Sequence, residues 1–120
     1  KDCDSYSGFL AADRKTVTGL AGYLRERCVT DVFVCGLATD FCVTWTALDA
    51  AAAGFKTALI EDASRAIDTN GSLAAAYTAL SKAGRFAYDG SRCDKSAFLT
   101  CARPKFRALF LGTAKHYPLQ

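Results

Sequence analysis

Two cysteines flank a short turn in the stretch VFVCGLATDFCVTWTALDAAAAGF, which runs from Val32 to Phe55. Cys35 lies in an apolar run typical of a buried strand, so we interpret it as a packing residue. Cys42 follows the Gly-Leu-Ala-Thr-Asp turn and falls in the first turn of a predicted helix, where backbone N–H groups and the helix dipole favour a thiolate. Such a thiolate could attack a carbonyl carbon, with backbone amides as an oxyanion hole. The residues alone leave a second reading open, in which Cys42 is an inert core residue.

The other four cysteines, at positions 3, 28, 93 and 101, have no activating pattern near them. No two of the six cysteines have the C-x2-C spacing of a zinc site. Six cysteines in a short chain can also indicate a secreted domain held by disulfides. Because Cys28 and Cys35 occupy positions typical of small buried thiols, we favour reduced thiols and a cytoplasmic protein.

The elements that must position Cys42 alternate between helices and apolar strands. Apolar residues at three- to four-residue spacing predict a helix over GLAGYLRERC, with Thr18 as its N-cap. The run from Val32 to Cys35 predicts a short strand buried on both faces. Helix-forming residues then predict a helix from Cys42 to Ala53, with Gly54 as its C-cap.

A second strand and a third helix follow. KTALIEDAS predicts a buried strand that ends after Ile60, and GSLAAAYTALSKAG predicts a helix between Ser72 as N-cap and Gly84 as C-cap. This order implies parallel strands joined by right-handed crossovers in an open α/β sheet. Ligands of such sheets bind beyond the carboxyl ends of the strands, so we expect the site at the turns after Cys35 and Ile60.

Length and composition limit the number of domains and the kinds of partner that we expect for this chain. With 120 residues and a 51% hydrophobic content, the chain fits one domain, or part of one, and can bury a core. Four basic residues near its end form no helical stripe and lack interleaved stacking aromatics, so we expect no nucleic-acid partner. They are Arg103, Lys105, Arg107 and Lys115. No apolar run approaches the roughly 20 residues needed to cross a membrane, so we expect no membrane partner.

The segment GLATDFCVTWTALDAAAAGFKTALIEDASRAI resembles the nucleophile segment of the nicotinamidases, within the isochorismatase-like cysteine hydrolases. The family signature there is Gly-[Ile/Leu]-Ala-Thr-Asp-[aromatic]-Cys-Val, then an alanine-rich helix, a glycine and a strand ending in an acidic pair. DSYSGF, from Asp4 to Phe9, and LAGYLRERCVTDVFVCG, from Leu20 to Gly36, are similar to family segments that precede it. The resemblance implies a three-layer, Rossmann-like parallel sheet flanked by helices and incomplete at its N-terminus.

The resemblance also assigns site residues. Cys42 matches the family nucleophile, and the bond matching Leu37–Ala38 is cis in the family, which turns the Ala38 and Cys42 amides toward the oxyanion. Tyr6 matches an aromatic that helps to wall the substrate pocket; without the resemblance it would be a loop aromatic that caps the core. Asp40 and Phe41 match the variable pair before the nucleophile, and we expect them to shape the turn or the pocket edge without a catalytic role.

Other parts of the family site have no match in this sequence. The resemblance implies an Asp-Lys-Cys triad and a divalent metal (zinc, iron or manganese) held by an aspartate and histidines. The segments that carry these residues are absent, and His116 lies in a part of the chain that the resemblance does not cover. Lys1 stands closer to Tyr6 than the family lysine does to the matching aromatic, so it would match that lysine only if the loop between them were shortened. We therefore predict no metal ligands in this chain. We divide the chain into residues 1–84, the C-terminal part of the hydrolase domain, and residues 85–120, an unmatched tail that is disordered or of altered reading frame.

The implied activity is hydrolysis of nicotinamide to nicotinate and ammonia through a cysteine thioester, as in the salvage of NAD. We expect the 120-residue chain by itself to be inactive, because it lacks the residues that would activate Cys42. Two alternatives stay open: another amidase of the superfamily, or a catalytically silent truncated product. Loss of the first strands would leave a sheet edge unpaired, which leaves a homo-oligomer open as well.

Overall fold

The computed structural model describes residues 5–83, together with the backbone of residues 86–88 and 108–113. The elements in these ranges are α1 (Leu20–Glu26), β1 (Asp31–Leu37), a π-helical turn (Thr39–Val43), α2 (Thr44–Ala52), β2 (Lys56–Arg65), α3 (Ser72–Ala83), β3 (Phe86–Tyr88) and β4 (Ala108–Thr113). The strands form a parallel sheet in the order β3-β2-β1-β4, with helices flanking it. The predicted open α/β architecture is confirmed.

One apolar core joins the sheet to its helices. Val32 and Val34 of β1 are fully buried against Leu24 of α1, Ala47 of α2 and Leu80 of α3. Phe9, Val43, Ala50, Phe55 and Leu59 complete this buried cluster. Because Val43 directly follows Cys42 and lies in the core, the apolar packing fixes the chain at the end of the turn that carries the thiol.

Strand β1 is buried on one face more than on the other, and the prediction of a strand buried on both faces is wrong. Val32 and Val34 are buried, whereas Phe33 and Cys35 between them are half-buried. Successive residues of a strand point to opposite faces, so the core takes one face of β1 and the other stays partly accessible. A continuous apolar run cannot distinguish these two cases.

Strand β2 does not end after Ile60, as we predicted, and continues to Arg65 through an irregularity. Val34 pairs with Leu59, and the next pair along the two strands is Gly36 with Ser64. Strand β2 therefore contains more residues than β1 between these two pairs. The Ser64 hydroxyl donates to the Ile60 carbonyl at 2.7 Å and accepts from the Gly36 amide at 3.3 Å. The acidic pair that we expected beyond the strand lies inside it, and the loop that leads to α3 begins only after Arg65.

The helix ends also differ from the sequence-based expectation. The N-cap of α1 is Gly19, at φ +88°, and the Thr18 hydroxyl accepts from the Leu20 amide at 3.3 Å. Ser72 is the first residue of α3 rather than its N-cap, and its hydroxyl accepts from the Thr69 amide at 2.9 Å. Gly54 follows the C-cap of α2 at φ +95°, a left-handed conformation that glycine adopts at little cost. Gly84 lies outside the described residues.

Two strands lie between residues 85 and 120, where the sequence pattern predicts no element. β3 pairs with β2, and β4 pairs with β1 from Asp31↔Ala108 to Gly36↔Thr113. Strand β1 therefore has a neighbour on both sides. The division of the chain at residue 84 stays a prediction. Over the described ranges, no helix is long and apolar enough to cross a membrane.

Candidate active site

The turn that carries Cys42 begins with a cis peptide bond between Leu37 and Ala38, at the position where the resemblance implied one. The Ala38 carbonyl then accepts from the amides of Phe41 and Val43, both at 3.1 Å. The second of these bonds spans five residues, which makes the turn π-helical, so Cys42 lies ahead of the α-helix and not in its first turn as predicted. The Thr44 hydroxyl donates to the Thr39 carbonyl at 2.5 Å and joins the turn to α2.

Cys42 is 4% exposed, and Cys35, seven residues earlier on β1, is half-buried. Both are free thiols, as is the exposed Cys28. This agrees with the predicted reduced state for these three, while Cys3, Cys93 and Cys101 lie outside the described residues. Exposure alone would therefore identify Cys35 as the reactive thiol and Cys42 as the packing residue. Their positions in the sequence suggest the opposite.

An open cavity of about 400 Å³ lies beside the turn, lined by Tyr6, Phe41, Trp45, Ile67 and Thr69. Cys42 is not among the lining residues, but Phe41, its neighbour in the chain, is one of them. Three aromatic rings and an isoleucine make the wall largely apolar, which suits a flat aromatic ligand with a small polar group. Tyr6 therefore lies on a cavity wall near the turn. Its contact with a substrate stays a prediction.

The loop that carries Tyr6 is held against α2. The Gly8 amide donates to the Thr46 hydroxyl at 3.1 Å, and Phe9 is buried in the core. Tyr6 itself is 48% exposed. Together with Trp45 it also lines a second cavity, of about 260 Å³, whose wall includes Arg14.

The indole of Trp45 is positioned by an ion pair that the sequence pattern does not predict. Arg14 donates from two guanidinium nitrogens to the two carboxylate oxygens of Asp49, at 2.8 and 2.9 Å. Its guanidinium carbon lies 4.5 Å from the centroid of the Trp45 ring, within the range of a cation–π contact. Asp49 and Trp45 are four residues apart on α2, a spacing that puts both on one helix face, but no local pattern in the sequence identifies Arg14 as their partner.

Asp40 has a more specific structural role than the shaping of the turn that we expected. Its buried carboxylate accepts from the Ile67 amide at 3.1 Å, the Asp68 amide at 2.9 Å and the Ser72 hydroxyl at 2.5 Å. Burial acts to raise the pKa of Asp40, but these hydrogen bonds outweigh it and hold the pKa below its ordinary value. Asp40 is therefore charged at neutral pH, and it binds the turn before Cys42 to the loop before α3.

The described residues do not fit a divalent metal. Within them no three His, Cys, Asp or Glu side chains come together as a ligand set. The Asp40 carboxylate is occupied by hydrogen bonds and Asp49 by Arg14. Lys1 and His116 lie outside the described residues. We therefore assign no catalytic step to a metal.

Known proteins resemble this chain closely over most of its length. A nicotinamidase of Acinetobacter baylyi (strain ATCC 33305 / BD413 / ADP1) is 54% identical over 84 residues, which cover 70% of this chain and 39% of that protein. A nicotinamidase of Escherichia coli (strain K12) is 38% identical over 86 residues, which cover 71% and 40%. The chain thus spans about two fifths of the length of each of these two relatives.

Solved structures give the same result. A nicotinamidase/pyrazinamidase of Acinetobacter baumannii is 56% identical, with a TM-score of 0.67 over 70% of this chain and 41% of that one. A yeast nicotinamidase bound to the inhibitor nicotinaldehyde is 26% identical, with a TM-score of 0.63 over 73% and 42%. A pyrazinamidase of Pyrococcus horikoshii in complex with zinc is 33% identical, with a TM-score of 0.55 over 73% and 45%.

The isochorismatase domain profile matches residues 4–89, which include the cis peptide bond, the turn, the cavity wall and the loop before α3. This match covers well over half of the 120 residues and agrees with the nicotinamidase relatives. The chain belongs to the isochorismatase domain family.

Proposed function

We propose that this chain contributes the nucleophile of an amidohydrolase that converts nicotinamide to nicotinate and ammonia, in NAD salvage in the cytoplasm. The observation that carries the proposal is the location of Cys42, between a parallel strand and a helix and directly after Phe41, which lines an aromatic-walled cavity. The names of the relatives support nicotinamide as the substrate. The zinc complex of one neighbour supports a divalent metal in the longer protein, held by residues other than those described here.

The proposed reaction begins at the Cys42 thiol. A general base takes the thiol proton, the sulfur forms a bond to the carboxamide carbon, and the carbonyl electron pair moves to oxygen. The backbone amides of Ala38 and Cys42 are the proposed donors to that oxyanion. The carbon–nitrogen bond then breaks, ammonia leaves with an added proton, and water hydrolyses the thioester to nicotinate and the free thiol.

The cavity wall has a separate role in this proposal. Tyr6, Phe41 and Trp45 present aromatic surface on which a pyridine ring can stack, and Ile67 adds an apolar contact. These contacts would be the same for the amide and for the tetrahedral intermediate, so they would favour binding more than the chemical step.

Nicotinaldehyde tests the proposal on this chain without turnover. Addition of the thiol S–H bond across the aldehyde forms a thiohemiacetal, with a carbon–sulfur bond and a hydroxyl group, and requires no leaving group. At alkaline pH, where thiols ionise without a general base, the full chain should bind nicotinaldehyde with a measurable dissociation constant by near-ultraviolet titration. Cys42→Ala should weaken binding more than 100-fold, and the matched variant Cys35→Ala by less than 2-fold.

Acetaldehyde separates this function from its nearest rival. Because it has no ring to fill the aromatic cavity, it should bind at least 10-fold more weakly than nicotinaldehyde. Equal binding of the two aldehydes at Cys42 would support a cysteine amidase of different substrate class. Binding that survives Cys42→Ala would exclude Cys42 as the nucleophile.

A further inference from the structure

The carboxylate of Asp40 connects the two sides of the aromatic cavity. On one side it belongs to the π-helical turn, in which Phe41 is the next residue and Cys42 the one after. On the other side it accepts the amides of Ile67 and Asp68, at 3.1 and 2.9 Å. Phe41 and Ile67 both line the cavity. Asp40 therefore precedes the cavity-lining residue Phe41 in the chain and also binds the backbone amide of Ile67, which lines the cavity from the other side.

The loop from 66 to 71 is bound to the turn through the Asp40 carboxylate. Asp68, Asn70 and Gly71 all have positive φ, at 53°, 52° and 79°, a left-handed conformation that aspartate and asparagine adopt more readily than other non-glycine residues. Ser72 adds a second link, because its hydroxyl accepts from the Thr69 amide while it donates to Asp40. Ile67 and Thr69, which line the cavity, are thus both tied to one buried carboxylate.

An ionised carboxylate suits this position because all three of its partners donate. Two backbone N–H groups and one hydroxyl converge on two oxygens. An asparagine would have the same shape, but its amide nitrogen is a donor and would face a backbone N–H or the Ser72 hydroxyl. One of the backbone N–H groups, or the hydroxyl, would lose its acceptor, and the loop would be free to move away from the turn.

We infer that Asp40 is a positioning residue that sets the width of the aromatic cavity, and with it the affinity for an aromatic carboxamide. This inference rests on the proposed function, since it concerns the same cavity. Asp40 acts through the loop that carries Ile67 and Thr69, and it does not touch the reacting atoms. It should therefore affect ring binding far more than the intrinsic reactivity of the Cys42 thiol.

Two probes on the full chain separate these effects. The first is the dissociation constant of nicotinaldehyde, which requires both the thiol and the cavity. The second is the alkylation rate of Cys42 by iodoacetamide, a small reagent without a ring, measured with the other five cysteines replaced by serine. Asp40→Asn should weaken nicotinaldehyde about 10-fold and change alkylation less than 2-fold. Ser72→Ala, which removes one of the three donors, should weaken nicotinaldehyde about 3-fold.

Asp62→Asn is the matched control, because it makes the same chemical change at an exposed position that lines neither cavity. It should leave both readings unchanged. Equal nicotinaldehyde affinity in Asp40→Asn and the parent chain would overturn the inference while leaving the proposed function intact. A proportional loss in both probes would also overturn it, since that is the signature of general disruption of the turn. Absence of a nicotinaldehyde adduct in the parent chain would overturn the inference and the proposed function together.

Discussion

The strand around Cys35 and the turn around Cys42 are held in place by different forces. Strand β1 is fixed by apolar packing, with Val32 and Val34 fully buried and Cys35 on the more accessible face. The turn ends in the buried Val43, but polar contacts hold its surroundings: Asp40 binds the loop before α3, and Arg14 binds Asp49 beneath Trp45. In this chain the scaffold is apolar and the candidate site is assembled by charged groups.

This difference explains why exposure is a poor guide to the two thiols. Cys35 is the more accessible of the two, but neither it nor its chain neighbours Val34 and Gly36 line either of the two cavities described beside the turn. Cys42 is more deeply buried, but it directly follows Phe41, which lines an aromatic cavity, and it lies within a turn whose neighbours are fixed by ionised side chains. The location of a cysteine relative to the cavity and the ionised side chains therefore indicates its role more clearly than its exposure does.

The largest expected effect on the free energy of unfolding comes from the apolar packing of strand β1. Val34→Ala removes two methyl groups from a fully buried position and should lower the free energy of unfolding by about 2 kcal/mol, measured by urea titration. Cys35→Ala, one residue further along β1, should cost less than about 1 kcal/mol because its side chain is only half-buried. Equal costs for the two variants would contradict the one-sided burial of the strand.

The ion pair beside Trp45 should give the next largest effect. Arg14→Ala leaves the Asp49 carboxylate, 7% exposed, without its bidentate partner and should cost about 1–2 kcal/mol, a value reduced because the Arg14 side chain is 42% exposed. Arg14→Lys keeps the charge but loses the paired hydrogen bonds and the stacking on the indole, so it should recover only part of this loss. If Arg14→Lys had the same free energy of unfolding as the parent chain, the positive charge alone would account for the stabilisation, and the paired hydrogen bonds and the contact with Trp45 would contribute nothing.

Asp40 should give a smaller effect that depends on pH. Because its pKa is held below the ordinary value in the folded chain, its contribution to stability is present above about pH 4 and lost as the pH falls through the folded-state pKa. Asp40→Asn should therefore be about 1 kcal/mol less stable at pH 7, and this difference should shrink below pH 4.

The difference between the parent chain and Asp40→Asn isolates this group. Hydrogen bonds from Thr16 and Lys15 also hold the pKa of Asp13 low, but Asp13 contributes equally to both proteins. Urea titrations at several pH values measure the difference directly. A gap that stays constant from pH 7 to pH 3, or widens as the pH falls, would contradict the assignment of an ionised Asp40.

The smallest expected signal is turnover itself. The described residues include neither a base matched to the family aspartate nor a metal ligand set, so the 120-residue chain should release no ammonia from nicotinamide above the level of Cys42→Ala. A coupled ammonia assay measures this. Release that is abolished by Cys42→Ala would show that the chain contains its own general base.

Much of this architecture could be predicted from the sequence, because apolar periodicity and glycine positions reflect local packing. The helices over the alanine-rich segments and the parallel order of the strands follow from them, and the motif around Cys42 indicated the turn. The irregularity of β2 at Ser64 could not be predicted, since it depends on pairing with Gly36 on another strand. The roles of Asp40 and Arg14 were missed for the same reason: their partners lie 27 to 35 residues away in the chain.

The central claim is that the Cys42 sulfur attacks the carbon of a pyridine-3-carbonyl group. Nicotinaldehyde labelled with carbon-13 at the aldehyde tests it directly by carbon NMR. The account predicts a new signal from a carbon bonded to both sulfur and oxygen, distinct from the free and hydrated aldehyde, in the parent chain and in Cys35→Ala. No such signal should appear in Cys42→Ala. Its absence from the parent chain, or its persistence in Cys42→Ala, would contradict the claim.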